Sequence, residues 1–83
     1  MIRERLTAAL DPVDLEVIDE SHLHAGHAGA RSGGGHYAVT IVSPRFRGEN
    51  MVARHRMVYE ALGNAMGSEI HALSITAHSP DEL

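Results

Sequence analysis

The sequence contains no cysteine, and this absence excludes several kinds of site. The chain has no disulfide bond and no nucleophilic thiol. It also cannot by itself hold an iron–sulfur cluster on cysteine thiolates or a zinc ion on thiolate ligands. Any thiolate ligand of a metal bound by this chain would have to come from another molecule.

Long apolar runs and lysine are missing as well. No apolar run approaches the roughly 20 residues that a membrane-spanning helix needs. The first ten residues carry Arg3, Glu4 and Arg5, which is not typical of a secretory signal, so we expect a cytoplasmic protein without membrane association. All seven basic residues are arginine, and the net charge of −4 argues against indiscriminate binding to nucleic acid.

The length of 83 residues indicates a single domain over residues 1–83. Its apolar content of 43% and charged content of 22% are typical of a globular protein. We find no acid pair, no nucleophile with a base and no phosphate-binding glycine motif in a supporting context. The sequence therefore gives no reason to expect an enzyme.

The pattern of apolar residues predicts a small α+β fold. Ile2, Leu6 and Leu10 recur at helical spacing, and Pro12 ends that helix. Alternation predicts strands at 15–19 and 36–43, the second with Tyr37, Val39 and Ile41 on one face.

A second helix is predicted from about Met51 to Met66, followed by a third strand. Its apolar stripe is expected to include Val52, His55, Val58, Leu62 and Met66, and Gly67 is expected to cap it. The third strand covers 70–77, and Ser79-Pro80 begins a short final helical turn. These elements predict a three-stranded mixed sheet with helices packed on one face.

Residues 22–35 are predicted to be a flexible loop rich in histidine and glycine. His22, His24 and His27 form an HxHxxH spacing, which is a weak metal signal because a flexible loop fixes no geometry. A solvated loop is the alternative interpretation. His36 opens the second strand, where a cross-strand or surface role is expected.

His71 lies at the start of the third strand and shares a face with Leu73 and Ile75 by alternation. An imidazole nitrogen at this position is a suitable ligand for iron, zinc or copper. A histidine at the edge of the core, hydrogen-bonded to the backbone, is the alternative.

Arg45, Arg47, Arg54 and Arg56 lie within twelve residues that contain one acid, Glu49. A turn followed by a basic helix resembles half of a helix-turn-helix, in which Arg54 and Arg56 would meet phosphates. A solvated helix face that binds a protein partner is the alternative.

Three segments resemble one protein family. "RFRGENMVARHRMVYEAL" (residues 45–62), "IHALSI" (70–75) and "LEVIDES" (15–21) are similar, in this order, to the signatures of the BolA family. The resemblance covers almost the whole chain. It implies a class II KH-like fold, which agrees with the predicted order of helices and strands.

The resemblance also implies a function. BolA-like proteins pair with monothiol glutaredoxins and share a bridging 2Fe–2S cluster, to which glutaredoxin and glutathione supply the sulfur ligands. The positions that correspond to the family's own ligands are His24 and His71. Some members are regarded as DNA-binding transcription regulators, for which Arg45, Arg47, Arg54 and Arg56 are the candidate contacts here.

Overall fold

The computed structural model describes residues 1–20, 35–67 and 70–83 of the chain. The α+β class that the sequence predicts is confirmed, and none of the helices in these ranges is long and apolar enough to cross a membrane. The helices and strands, in chain order, are α1 (Ile2–Leu10), β1 (Asp14–Asp19), β2 (Gly35–Val42), α2 (Met51–Leu62) and β3 (Ile70–His78). Short 3₁₀ turns lie after β2 at Pro44–Phe46, after α2 at Gly63–Gly67 and after β3 at Pro80–Glu82.

The strands form a mixed sheet in the order β1-β2-β3. β2 is central, antiparallel to β1 and parallel to β3. Tyr37, Val39 and Ile41 share one face of β2, as the alternation predicts, and this face packs against α1 and α2. The described core combines residues from both helices and the sheet, namely Ile2, Leu6, Leu10, Val39, Ile41, Phe46, Val58, Leu62, Ala65, Ile70 and Ala77.

α1 ends at Leu10, as its apolar spacing predicts. Asp11 adopts a left-handed conformation with φ of 45°, and its N–H donates to the carbonyl of Thr7. Pro12 disfavours the right-handed helical conformation for the residue before it. The helix therefore stops at Asp11 rather than running into the proline.

α2 ends earlier than the sequence predicts. The chain leaves the helix at Gly63, whose φ of 54° and ψ of −128° are strained for a residue with a side chain. A 3₁₀ turn then occupies Gly63–Gly67. The prediction of one helix up to Met66 with a cap at Gly67 was wrong, because Gly63 provides the earlier break.

The buried stripe of α2 also differs from the predicted one. Val52 is 67% exposed, whereas Arg54 is only 6% exposed and lies on the buried face with Val58 and Leu62. The three buried residues follow at i, i+4 and i+8, so the inward face is a regular helical stripe that begins with an arginine.

We predict that Gly63→Ala destabilises the domain by about 1–3 kcal/mol, because alanine must adopt the same strained backbone conformation. An added Cβ has room, since its nearest neighbour is Arg5 Nη1 at 3.5 Å. Urea denaturation measures the change. Glu60→Ala, an exposed substitution on α2, is the control, and an equal effect of both variants would contradict a specific requirement for glycine.

Candidate functional site

Three chain segments meet at one end of the sheet, which we call the loop end and define by Glu20, Gly35 and Ile70. Glu20 follows β1, and its N–H donates to the carbonyl of His36 at 2.7 Å. Gly35 begins β2 and pairs with Ile70, which begins β3. The chain that leaves β1 for residue 21, the chain that enters β2 and the chain that enters β3 are therefore adjacent.

His71 lies at this loop end, one residue after β3 begins. Gly35 pairs with Ile70 and His36 with Ala72, so the register shifts across His71. Such a bulge gives one strand an extra residue without a direct partner on its neighbour. The predicted position of His71 at the start of the third strand is confirmed, whereas its role as a ligand stays a prediction.

His22, His24 and His27 lie outside the described residues, so their predicted roles are untested. His36 lies in β2 and is half-buried beside a hollow of about 270 Å³. The hollow is lined by Glu20, His36, Tyr37, Ala72, Leu73 and Ser74. Among the described residues, no group of three or more histidine, aspartate or glutamate side chains is placed to hold a metal ion.

At the loop end, Gly35 leaves room for a close approach of the Tyr37 ring. A Cβ built on Gly35 would lie 2.4 Å from the ring carbon Cε2 of Tyr37. The glycine allows the tyrosine ring to fold back over the start of β2. Packing of the Tyr37 ring therefore explains why the last position of the Gly33-Gly34-Gly35 run is a glycine.

The turn and the helix predicted for the basic segment are present, but Arg54 is buried and joined to Glu82, a contact that we call the clamp. Its guanidinium makes a bidentate ion pair with Glu82, with Nη1–Oε1 and Nη2–Oε2 distances of 2.6 and 2.7 Å. Nη1 also donates to the carbonyl of Ala77 at 3.1 Å, and Nε to the carbonyl of Glu49 at 2.8 Å. The guanidinium carbon lies 5.9 Å from the centre of the Phe46 ring.

This arrangement overturns the expectation that Arg54 contacts phosphate. A guanidinium that already binds a carboxylate in bidentate fashion and two carbonyls uses four of its five N–H donors within the protein. Arg54 instead joins α2, the end of β3 and the C-terminal turn.

Glu82 is the acidic half of the clamp. Hydrogen bonding to Arg54, together with the Ser79 N–H that donates to its Oε1 at 2.9 Å, lowers the pKa of Glu82 to about 2. The hydrogen bond with Glu82 in turn raises the pKa of Arg54. Ser79 therefore begins the last turn as the sequence predicts, and the carboxylate that satisfies its N–H also holds Arg54.

The other three arginines do not form one surface. Arg47 is exposed and pairs with Asp81 at 3.2 Å. Arg45 borders the side of α2 that faces α1, near Met57, whereas Arg56 borders the opposite side, near Val52. The candidate nucleic-acid contacts are thus reduced to exposed residues on separate faces.

The sequence analysis did not identify Glu82 or Ser43 as important. Ser43 is fully buried, donates from its hydroxyl to the carbonyl of Leu10, and accepts from the N–H of Arg45. The sequence signal for Glu82 was present, because Ser79 and Glu82 have the S-x-x-E spacing of a capping box. The signal for Ser43 was its position immediately before Pro44.

We predict that the clamp stabilises the domain in a pH-dependent way. The folded-state pKa of Glu82 lies below its ordinary value of 4.5. Its contribution is therefore present above about pH 5 and is lost as the pH falls towards about 2. Thermal unfolding should show Glu82→Gln below the unsubstituted protein at about pH 6, with the difference shrinking in acid.

Glu60→Gln, at an exposed position on α2, is the control for this comparison. A Glu82→Gln variant whose melting temperature stays below that of the unsubstituted protein by the same margin down to about pH 2 would contradict the assignment of the effect to ionisation.

The chain is similar to several curated proteins over nearly its whole length. It is 47% identical to SufE-like protein 1 of Arabidopsis thaliana, over 99% of this chain and 24% of that protein. It is 44% identical to the chloroplastic protein BOLA1 of the same plant, over 98% of this chain and 52% of that protein. It is 43% identical to the DNA-binding transcriptional regulator BolA of Escherichia coli, over 98% of this chain and 74% of that protein.

Solved structures agree with this similarity. The BolA domain of SufE1 from Arabidopsis thaliana superposes with a TM-score of 0.86 at 48% identity, covering 99% of this chain and 91% of that one. The solution structure of mouse BolA1 gives a TM-score of 0.79 at 43% identity, covering 98% and 63%. A model of the family described as BolA-like protein matches residues 6–82. The chain belongs to the BolA-like protein family.

Proposed function

We propose that this chain is an adaptor, not an enzyme, that binds a monothiol glutaredoxin and shares a 2Fe–2S cluster with it in iron–sulfur trafficking or in iron and redox regulation. His24 and His71 would supply the ligands on this side. The glutaredoxin and glutathione would supply the sulfur. The resemblance to the BolA family motivates the partner and the cluster.

One observation about the fold supports the ligand pair. The segment that contains His24 is tethered at Glu20 and Gly35, and both tethers lie at the loop end beside the start of β3. His71 belongs to that same end. The chain therefore leaves the described fold at Glu20 and re-enters it at Gly35 beside the start of β3, not at the opposite end of the sheet.

The chemistry of the donors also fits a shared cluster. The chain has no thiol, and the ligands that the family resemblance implies, His24 and His71, are imidazoles. Imidazole in place of thiolate on one iron raises the reduction potential of a 2Fe–2S centre. Imidazoles are protonated at low pH, so such a cluster is held less firmly in acid than one on thiolates alone. These properties suit sensing or transfer of a cluster.

We predict that mixing this chain with a cluster-loaded monothiol glutaredoxin and glutathione produces a new visible-absorption spectrum. His71→Ala should weaken formation of the mixed complex by about tenfold or more, since even the loss of groups that support a ligand costs 10–100-fold. His24→Ala should weaken formation of the mixed complex by a similar factor. Spectrophotometric titration measures both.

His78→Ala is the control, because His78 lies at the opposite end of β3 from His71. If His71→Ala and His24→Ala both form the mixed complex with unchanged spectrum and affinity, the ligand assignment is wrong. An unchanged spectrum of the glutaredoxin on adding this chain would contradict cluster sharing itself.

DNA binding is the second candidate function, favoured by two relatives. The BolA proteins of Escherichia coli and Vibrio cholerae, 43% and 39% identical to this chain, are named DNA-binding transcriptional regulators. Arg45, Arg47 and Arg56 are the exposed candidates in this chain, and because Arg45 and Arg56 lie on opposite sides of α2, a single DNA surface would use only part of this set.

We predict for this alternative that the affinity for duplex DNA falls steeply as salt rises and that Arg56→Ala reduces the slope of log affinity against log salt by about one. Fluorescence anisotropy measures the affinity. Arg54→Ala should lower the melting temperature, which distinguishes the clamp from a DNA contact. Binding that does not respond to salt, or an unchanged slope in Arg56→Ala, would contradict this candidate.

A further inference from the structure

β3 is an edge strand of the described sheet, but it lacks the charged residues and prolines that usually discourage pairing at an exposed edge. Its nine residues, Ile70–His78, contain no aspartate, glutamate, lysine, arginine or proline. β1, at the other edge, carries Asp14, Glu16 and Asp19, and its Leu15 carbonyl accepts a hydrogen bond from Arg3. Charged residues and covering groups discourage the addition of a further strand, so the two edges differ in how open they are to pairing.

The backbone groups of β3 that point outwards can be identified by alternation. The carbonyl of His78 accepts from the N–H of Ser43, which follows β2, so His78 faces the sheet. The carbonyl of Ala77 then points outwards, where Arg54 Nη1 binds it. Leu73 and Ile75 have the same direction as Ala77. Within the described ranges, their outward N–H and carbonyl groups have no hydrogen-bond partner.

The outer flank of α2, which we define by Val52, His55, Arg56 and Tyr59, lies on the same side of the molecule. α1 packs against the other flank of α2, where Ala9, Leu10, Met57 and Ala61 border a shared hollow. The outer flank therefore faces away from α1, beyond the edge at β3. It borders a hollow of about 300 Å³.

The outer flank is apolar for an exposed helix surface. Val52 is 67% exposed and Tyr59 is 42% exposed. Nε2 of His55 is buried without a hydrogen-bond partner among the described residues. Arg56 is exposed and makes no ion pair with any described residue, so it offers a positive charge beside the apolar surface.

We propose that a partner protein adds an extended segment to the outer edge of β3, beneath the outer flank of α2. The segment pairs with the backbone of Leu73 and Ile75. Its side chains on the helix side are apolar and pack against Val52 and Tyr59, and a carboxylate on the segment pairs with Arg56. This is strand addition, in which backbone bonds give affinity and alternate side chains give specificity. It requires neither His24 nor His71 and goes beyond the proposed cluster adaptor.

A second copy of this chain fits the edge less well than a separate segment. α2 packs on β3, and a helix with its side chains is about 10 Å wide, whereas paired strands lie about 4.8 Å apart. Two copies joined by antiparallel pairing through β3 would have both α2 helices on the same face of one continuous sheet, where the helices would collide. An extended segment without its own helix avoids this collision.

The test uses short synthetic peptides in which valine and threonine alternate and an aspartate stands at either end. Amide hydrogen exchange of the isotope-labelled protein is followed by NMR. We expect saturable binding that slows exchange at Leu73 and Ile75 by about tenfold, because both amides become hydrogen-bonded. The same peptides with alternate backbone nitrogens methylated should not bind. If no peptide of the series protects these two amides, the proposal is wrong.

Matched variants separate the edge from general surface effects. Val52→Asp should weaken peptide binding by about tenfold, since it places a charge against the apolar side chains of the peptide. Val13→Asp, at a valine that is 65% exposed elsewhere, should leave binding unchanged. If Val52→Asp and Val13→Asp weaken peptide binding equally, the proposed position of the segment beneath the outer flank is wrong. Protection of Leu73 and Ile75 that grows with protein concentration in the absence of peptide would identify a second copy as the occupant and overturn the choice of a partner segment.

Discussion

The ion pair between Arg54 and Glu82 is the interaction on which the arrangement of the domain depends. It joins the second helix to the end of the third strand and to the C-terminal turn. A charged group on the inward face of a helix must have its donors satisfied, or its burial costs more than it contributes. The carboxylate of Glu82 and the carbonyls of Ala77 and Glu49 meet that requirement.

The clamp also determines which surfaces of α2 remain exposed. With Arg54, Val58 and Leu62 turned inwards, Val52 and Tyr59 are left on the outer flank. Arg54 also occupies the outward carbonyl of Ala77 at the C-terminal end of the β3 edge, whereas the outward groups of Leu73 and Ile75 have no hydrogen-bond partner in the part of the chain that the structure describes. The part-buried ion pair between Arg54 and Glu82 thus fixes which side of α2 faces the core and which side is exposed.

The two ends of the sheet differ in a way that matters for both proposed functions. At one end, buried and part-buried hydrogen bonds of Ser43, Arg54 and the last turn join several segments of the chain. At the other, the loop end, the chain runs into the histidine-rich segment 21–34 and the bulge at His71. The proposed ligands therefore belong to the end of the sheet opposite the hydrogen bonds of Ser43, Arg54 and the last turn.

The sequence by itself determined the elements and the family of this protein. Periodic apolar residues specify α1 and the three strands, because period 3.6 and period 2 each place one face in the core. The spaced BolA-like motifs indicated the family that the comparisons confirm. The pairing of His24 with His71 stays a prediction, because the former lies outside the described residues.

Only the tertiary structure decided the roles of the arginines and the orientation of α2. In the sequence, Arg54 looks like its neighbours Arg45, Arg47 and Arg56, since helical spacing does not show that a glutamate 28 positions later will meet it. Burial of a charge depends on such a distant partner, which local pattern cannot supply. The register between the parallel strands β2 and β3 also could not be read from the sequence, and neither could the position of β3 at an edge of the described sheet. Both depend on pairing between segments that are distant in the sequence and meet only in the folded chain.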